Sequence, residues 1–179
     1  KTAVADKLRR ENGLDYKPSE IVVSCGAKHT LFNIFMALLN PGDEVIIFSP
    51  YWVSYPEQVR IADGVPVFIP LEESRNFEID FARLERSITG KTRAMIVNSP
   101  SNPTGVVYTR QELQALAEVL VKRDVAVVAD EISKLADQTA ASEGLRHERH
   151  VVQVLRVERV VRGDQRNPTS ARPPGPYQA

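Results

Sequence analysis

From Ala3 to Ala129 the chain alternates segments whose apolar residues recur at helical spacing with short runs that are almost wholly apolar, and few folds accept that pattern. Ala3 to Asn12 reads as a helix that stops at Gly13, and Ile21-Val22-Val23 as a strand. Gly26-Ala27-Lys28 then opens a helix whose Leu31, Ile34, Phe35 and Leu38 share one face. Pro41-Gly42-Asp43 ends that helix and launches a strand from Glu44 to Phe48. Residues 54–62 read as helix, Val65 to Ile69 as strand and Asp80 to Ile88 as helix. Ala94 to Val97 reads as strand, Arg110 to Lys122 as helix and Val125 to Ala129 as strand. Helices alternating with uniformly apolar strands indicate an α/β domain with a mostly parallel sheet.

Beyond Ser133 the character changes. Every Phe, every Ile and the only Trp precede residue 134. Acidic residues outnumber Lys and Arg up to Ser133; after it the balance reverses, and apart from Lys134 the basic residues of this kind are all Arg. The stretch Asn167 to Pro176 holds four prolines and no large apolar side chain to bury. The sequence thus divides into residues 1–132 and an Arg- and Pro-rich tail, 133–179, expected to be poorly ordered from about residue 163. Val151 to Val161 suits one short helix or strand equally well.

Lys+Arg and Asp+Glu both number 23, so whole-chain charge gives no reason to expect nucleic acid or an anionic membrane as partner. Cys25 is the only cysteine, which excludes an intrachain disulfide and suits a reducing compartment. No apolar run approaches the roughly 20 residues of a membrane helix, and no basic-then-apolar leader opens the chain. The expectation is a cytoplasmic protein without a metal site.

Parallel sheets bind ligands beyond the carboxyl ends of their strands. Four polar groups fall there: Gly26-Ala27-Lys28, Ser49-Pro50-Tyr51-Trp52, the loop Asn98 to Gly105 (NSPSNPTG), and Asp130. Each has a plain structural reading, as a tight turn, a large core residue, a turn former and a helix cap. Together they suit a more specific chemistry. A helix opening at Gly26, Ala27 and Lys28 offers unpaired N–H groups and a positive dipole end to a phosphate. Trp52 offers a flat face for stacking. Asp130 suits a protonated ring nitrogen, and Asn102 an amide donor to a ring oxygen. Phosphate, ring, ring nitrogen and phenolic oxygen describe pyridoxal 5'-phosphate.

The runs SCGAKHTLFN, NPGDEVIIFSPYWVSYPEQVR, MIVNSPSNPTGVVY and VVADEI resemble, in order and spacing, the large domain of class I/II pyridoxal-phosphate-dependent aminotransferases, most like the bacterial aspartate aminotransferases. The resemblance covers residues 1 to about 132. It implies a three-layer α/β sandwich, amino-acid and 2-oxo-acid substrates, and an active site shared across a homodimer. By the same resemblance Gly26, Ala27 and Lys28 meet the cofactor phosphate, Trp52 stacks on its ring, Asn102 meets the ring oxygen and borders the substrate with Trp52, and Asp130 pairs with the ring nitrogen. The prolines of NSPSNPTG would then stiffen the frame that fixes Asn102.

Departures from the family pattern begin at Ser133, where a tyrosine is usual, and the resemblance ends at Ile132. The family's Schiff-base lysine should follow, yet no lysine occurs after Lys134. Arg162 and Arg166 lie where later arginines fall by count, without a motif around them. Lys28, in the first turn of a helix, is expected to point to solvent, and Lys134 lies too near Asp130 to reach an aldehyde across the ring. Neither is a convincing nucleophile. Three readings stay open: an aminotransferase cut short, a non-catalytic cofactor-binding or dimerisation module, and a nucleotide-binding domain of another kind. The last lacks any glycine-rich phosphate loop after a strand.

Overall fold

The computed structural model describes residues 1–131 and 151–155. The expected disorder from residue 163, Lys134, Arg162 and Arg166 lie outside the described residues. Helices α1 (Thr2–Asn12) and α2 (Ala27–Leu38) precede strand β1 (Glu44–Ser49), followed by α3 (Ser54–Ile61), β2 (Val65–Pro70), α4 (Phe81–Ser87), β3 (Thr92–Asn98), α5 (Arg110–Lys122), β4 (Ala126–Glu131) and β5 (Val151–Leu155). The order across the sheet is β2-β1-β3-β4-β5. All pairs are parallel except β4 with β5, which is antiparallel. Val151–Leu155 is therefore strand, the choice that periodicity left open.

Alternate residues of the central strands divide between two cores. Ile46, Phe48, Met95 and Val97 pack with Leu84 of α4 and with Leu116 and Leu120 of α5. Val45, Ile47, Ala94, Ile96 and Val128 face the other way, onto Leu31 and Phe35 of α2 and Tyr55 and Val59 of α3. Helices thus cover both faces of the sheet, giving three layers. Among the described residues strand β2 takes an edge of the sheet, and it carries Pro66 and Pro70, residues that have no N–H to donate and are tolerated at an edge.

Local chemistry sets several boundaries. Gly13 adopts φ 66° and its N–H donates to Arg9 O, closing α1 in a left-handed cap. Helix α5 opens with a capping box: Thr109 accepts from the Glu112 N–H, and the Glu112 carboxylate accepts from the Thr109 N–H at 2.8 Å.

One expected element is absent. Ile21-Val22-Val23 forms no strand, and Val22 and Val23 are 72% and 69% exposed. A strand exists through hydrogen bonds to a neighbour, and among the described residues the sheet has no strand beside this triplet. Its apolar, β-branched composition supplied propensity without a partner.

Candidate functional site

The chain runs from β1 outward to β2, then returns to place β3 on the other side of β1. That reversal opens a crevice between the carboxyl ends of β1 and β3, where doubly wound sheets bind ligands. A cleft of about 280 Å³ of empty space, open to solvent, lies there. Pro50 and Tyr51 line it from β1, Asn98, Ser101 and Asn102 from β3, and Tyr55 closes it from α3. Trp52, Gly26 and Asp130 stand outside its lining, and Trp52 and Asp130 each contact Tyr55.

Asp130, near the end of β4, is 1% exposed, and its Oδ2 accepts a hydrogen bond from the Tyr55 hydroxyl at 2.6 Å. Burial drives the Tyr55 pKa well above its ordinary value, and the negative charge of Asp130 and the hydrogen bond add to that. Tyr55 therefore stays a neutral donor. Its ring meets Trp52 edge to face at 5.7 Å between centroids. The Lys28 ammonium lies 4.8 Å from the centroid of the Trp52 ring. Lys28 is exposed, as expected, but its head group rests on an aromatic face instead of extending freely into water.

On the other side, Asn98 pairs in register with Asp130 across β3 and β4. Its Nδ2 donates to the Asp130 backbone carbonyl at 2.7 Å, and its Oδ1 accepts from the Asn102 N–H at 2.7 Å. A continuous path of contacts thus runs Lys28, Trp52, Tyr55, Asp130, Asn98, Asn102. Four stretches singled out in the sequence meet at one edge of the sheet.

The loop after β3 contains two cis peptide bonds, Ser99-Pro100 and Asn102-Pro103. It is held to the domain by the Ser101 N–H donating to Val106 O at 2.8 Å and by the Tyr108 N–H donating to Ser99 Oγ at 3.2 Å. Asn102 itself is exposed, so its side-chain amide is accessible from the cleft.

Gly26 is the N-cap of α2 with φ 85° and ψ 168°, a conformation open essentially to glycine alone. A Cβ there would meet nothing within 4 Å, so the space above it is open. Its own N–H donates to Ser24 O at 2.9 Å. Gly26 therefore contributes the turn, and the N–H groups free of intrahelical partners belong to the residues that follow, Ala27 and Lys28 among them. Gln58 of α3 anchors this turn, its Nε2 donating to Lys28 O at 2.6 Å.

Tyr55 and Gln58 escaped the sequence reading, and Asn98 entered it only as the first residue of the loop after β3. Tyr55 follows Trp52 by three residues, and that helical spacing was the one available signal. The donor set at this edge suits an anion at the first turn of α2, a flat ring beside Trp52 and a cation at Asp130. Among the described residues no group of three or more His, Cys, Asp or Glu could hold a metal ion.

Comparisons with known proteins point to one family. The model of the family "Aminotransferase class I and II" matches residues 1–134. The chain is 53% identical over 132 residues to an aspartate aminotransferase of Bacillus sp. (strain YM-2), covering 74% of this chain and 34% of that protein. It is 55% identical over 130 residues to a probable aspartate/prephenate aminotransferase of Thermus aquaticus, covering 73% and 34%. Among solved structures, the aspartate aminotransferase of Thermus thermophilus with maleate superposes with a TM-score of 0.70 at 53% identity, over 73% of this chain and 34% of that one. The chain thus spans about a third of the length of the curated relatives it matches. Family match, identity and fold agree, and the chain belongs to the class I and II aminotransferases.

Proposed function

We propose that residues 1–132 form the cofactor-binding part of a pyridoxal-phosphate-dependent aminotransferase of the aspartate type, which passes an amino group from an amino acid to a 2-oxo acid. The observation that carries this reading is the unbroken path of contacts from Lys28 through Trp52, Tyr55 and Asp130 to Asn98 and Asn102. When bound, pyridoxal phosphate supplies an electron sink for the bonds broken at the substrate carbon. The chain's own residues bind and orient. The first turn of α2 receives the phosphate through the N–H groups of Ala27 and Lys28, with Gly26 shaping the approach. Trp52 stacks on the ring and, with Asn102, borders the substrate. The Asn102 amide donates to the ring oxygen. The Asp130 carboxylate keeps a proton on the ring nitrogen by charge pairing.

The amine that covalent catalysis requires has no evident holder in this chain. Lys28 is committed to the Trp52 face, and no lysine follows Lys134. The chain by itself therefore binds the cofactor weakly and reversibly and does not transaminate. The complete enzyme, a cytoplasmic homodimer, draws its lysine and carboxylate-binding arginines from segments other than residues 1–132.

Two assays on the purified chain test this. Titration with pyridoxamine 5'-phosphate, which has no aldehyde to react with surface lysines, should give saturable quenching of the single Trp that is lost in Asp130→Ala. Incubation with pyridoxal phosphate, aspartate and 2-oxoglutarate should form glutamate no faster than free cofactor does. Binding that survives Asp130→Ala would place the site elsewhere. Turnover above the control that disappears in Lys28→Ala or Lys134→Ala would show that one of these lysines is the nucleophile.

A further inference from the structure

Helix α2 opens without a side-chain cap. Its first N–H groups are thereby left to an anion, but an uncapped first turn frays. A contact from another helix steadies it: Gln58 of α3 donates through Nε2 to Lys28 O at 2.6 Å. This bond engages a carbonyl and leaves the N–H groups of Ala27 and Lys28 open. A carbonyl only accepts, so the bond also fixes which way the amide is turned.

Packing alone does not call for an amide at position 58. Gln58 is 8% exposed, and its Oε1 meets no hydrogen-bond donor among the described residues. An orphaned acceptor at such a place costs stability, whereas methionine would fill a similar volume with no amide to satisfy. The grip also has a second end. The Tyr55 N–H donates to Trp52 O at 3.0 Å, which ties Trp52 to the first turn of α3, and the Lys28 ammonium lies 4.8 Å from the Trp52 ring centroid. Gln58 and Trp52 therefore hold the same residue of α2, one by its carbonyl and the other by its side chain. Helix α3 thus sets how far the first turn of α2 stands from the Trp52 face.

We propose that Gln58 is a positioning residue for the phosphate turn: its amide ties the Lys28 carbonyl to α3 and holds the first turn of α2 at one spacing from Trp52. The inference rests on the cofactor reading above and adds to it the residue that fixes this spacing. Phosphate and ring belong to one ligand, so binding both at once requires that the two places receiving them keep a fixed separation.

Wild type and Gln58→Met are titrated with pyridoxamine 5'-phosphate and with pyridoxamine, which lacks the phosphate, following Trp52 fluorescence. Hydrogen exchange without ligand is followed at two N–H groups of α2. Thr30 donates to Gly26 O at 3.2 Å and reports the first turn, and Leu39 donates to Phe35 O at 3.0 Å and reports the far end. Wild type should prefer the phosphate-bearing ligand. Gln58→Met should cut that preference about five-fold, the scale of one neutral hydrogen bond, and leave pyridoxamine within about two-fold. Exchange should quicken at Thr30 and not at Leu39. Equal weakening of both ligands, or quickening at both ends of α2, would overturn the inference and leave Gln58 a contact of the fold only. An unchanged preference would overturn it while the cofactor reading stands. If wild type shows no preference, the cofactor reading fails and the inference with it. Should Gln58→Met not fold, wild type alone decides. By linkage, phosphate bound at the turn must slow exchange of the Gln58 side-chain amide, so pyridoxamine 5'-phosphate should protect it and pyridoxamine should not. Equal exchange with the two ligands would overturn the proposal.

Discussion

Replacing Asn98 with alanine tests the junction between β3 and β4 directly. Asn98 is 8% exposed, donates to the Asp130 carbonyl at 2.7 Å and accepts from the Asn102 N–H at 2.7 Å. Asn98→Ala removes the side-chain donor to the Asp130 carbonyl at a buried position, at a cost of about 1–3 kcal/mol. The Asn102 N–H, in an exposed loop, regains water, so that loss is about 0.5–1.5 kcal/mol. The expected total is about 1.5–4.5 kcal/mol, read as a lower urea midpoint with Trp52 fluorescence as the probe. Asn98→Asp separates the two bonds. It keeps an acceptor for the Asn102 N–H, offers no donor to the Asp130 carbonyl, and sets a second carboxylate beside Asp130. Hydrogen exchange at Asn102 should therefore quicken about ten-fold or more in Asn98→Ala, following the lost bond, and much less in Asn98→Asp. A destabilisation under about 0.5 kcal/mol in Asn98→Ala, with Asn102 exchange unchanged, would refute the argument that this side chain holds the loop to the sheet.

Adjacent residues of α2 should respond very differently to truncation. Phe35→Ala, at a fully buried position, should cost about 3–5 kcal/mol in urea unfolding, whereas Met36→Ala, at a position 53% exposed, should stay within about 0.5 kcal/mol; comparable losses would mean that α2 is rotated from the orientation described. Thr109→Ala removes the N-terminal cap of α5 and should cost about 1 kcal/mol by the same measurement, with Thr109→Ser largely restoring it. Alkaline pH should destabilise the domain. Burial, and then the charge of Glu112, push Tyr108 up to about 12, and Tyr55 is raised further, first by burial and then by Asp130. Tyrosines of the unfolded chain ionise near pH 10. The stability these two contribute is therefore complete below about pH 10 and is lost as pH rises toward and past 12. Tyr108→Phe should flatten the fall in urea midpoint above pH 10, and an unchanged slope would count against a buried phenol at this position.

Much of the frame is local in origin and was legible for that reason. The bounds of α5, Arg110–Lys122, match the sequence reading, because Thr109 and Glu112 lie within one turn of each other and cap the helix whatever the rest of the chain does. Gly13 ends α1 by its own backbone freedom. The central strands were readable since burial on both faces demands uninterrupted apolar runs, as in Val45 to Phe48. Ile21-Val22-Val23 shows where such reading fails. Three β-branched residues carry the propensity of a strand, but the hydrogen bonds that make one come from a distant segment, and none is present here among the described residues.

The candidate site divides along the same line. Alternation of elements, with the rule that ligands sit beyond strand ends, drew attention to Trp52, Asn102 and Asp130 from the sequence by itself, whereas Gly26, Ala27 and Lys28 were drawn in behind a strand, Ile21-Val22-Val23, that does not form. How those residues are joined was decided only by the tertiary structure. Tyr55 meets Asp130 across 75 positions of sequence, Asn98 meets it across 32, and Gln58 reaches Lys28 across 30. Strand register sets Asn98 beside Asp130, and packing of α3 on the sheet brings Tyr55 and Gln58 to their partners. Propensities, caps and turns act within a few residues and can be read along the chain. A hydrogen bond between distant side chains depends on which surfaces meet when the layers close, and no stretch of sequence contains that information alone.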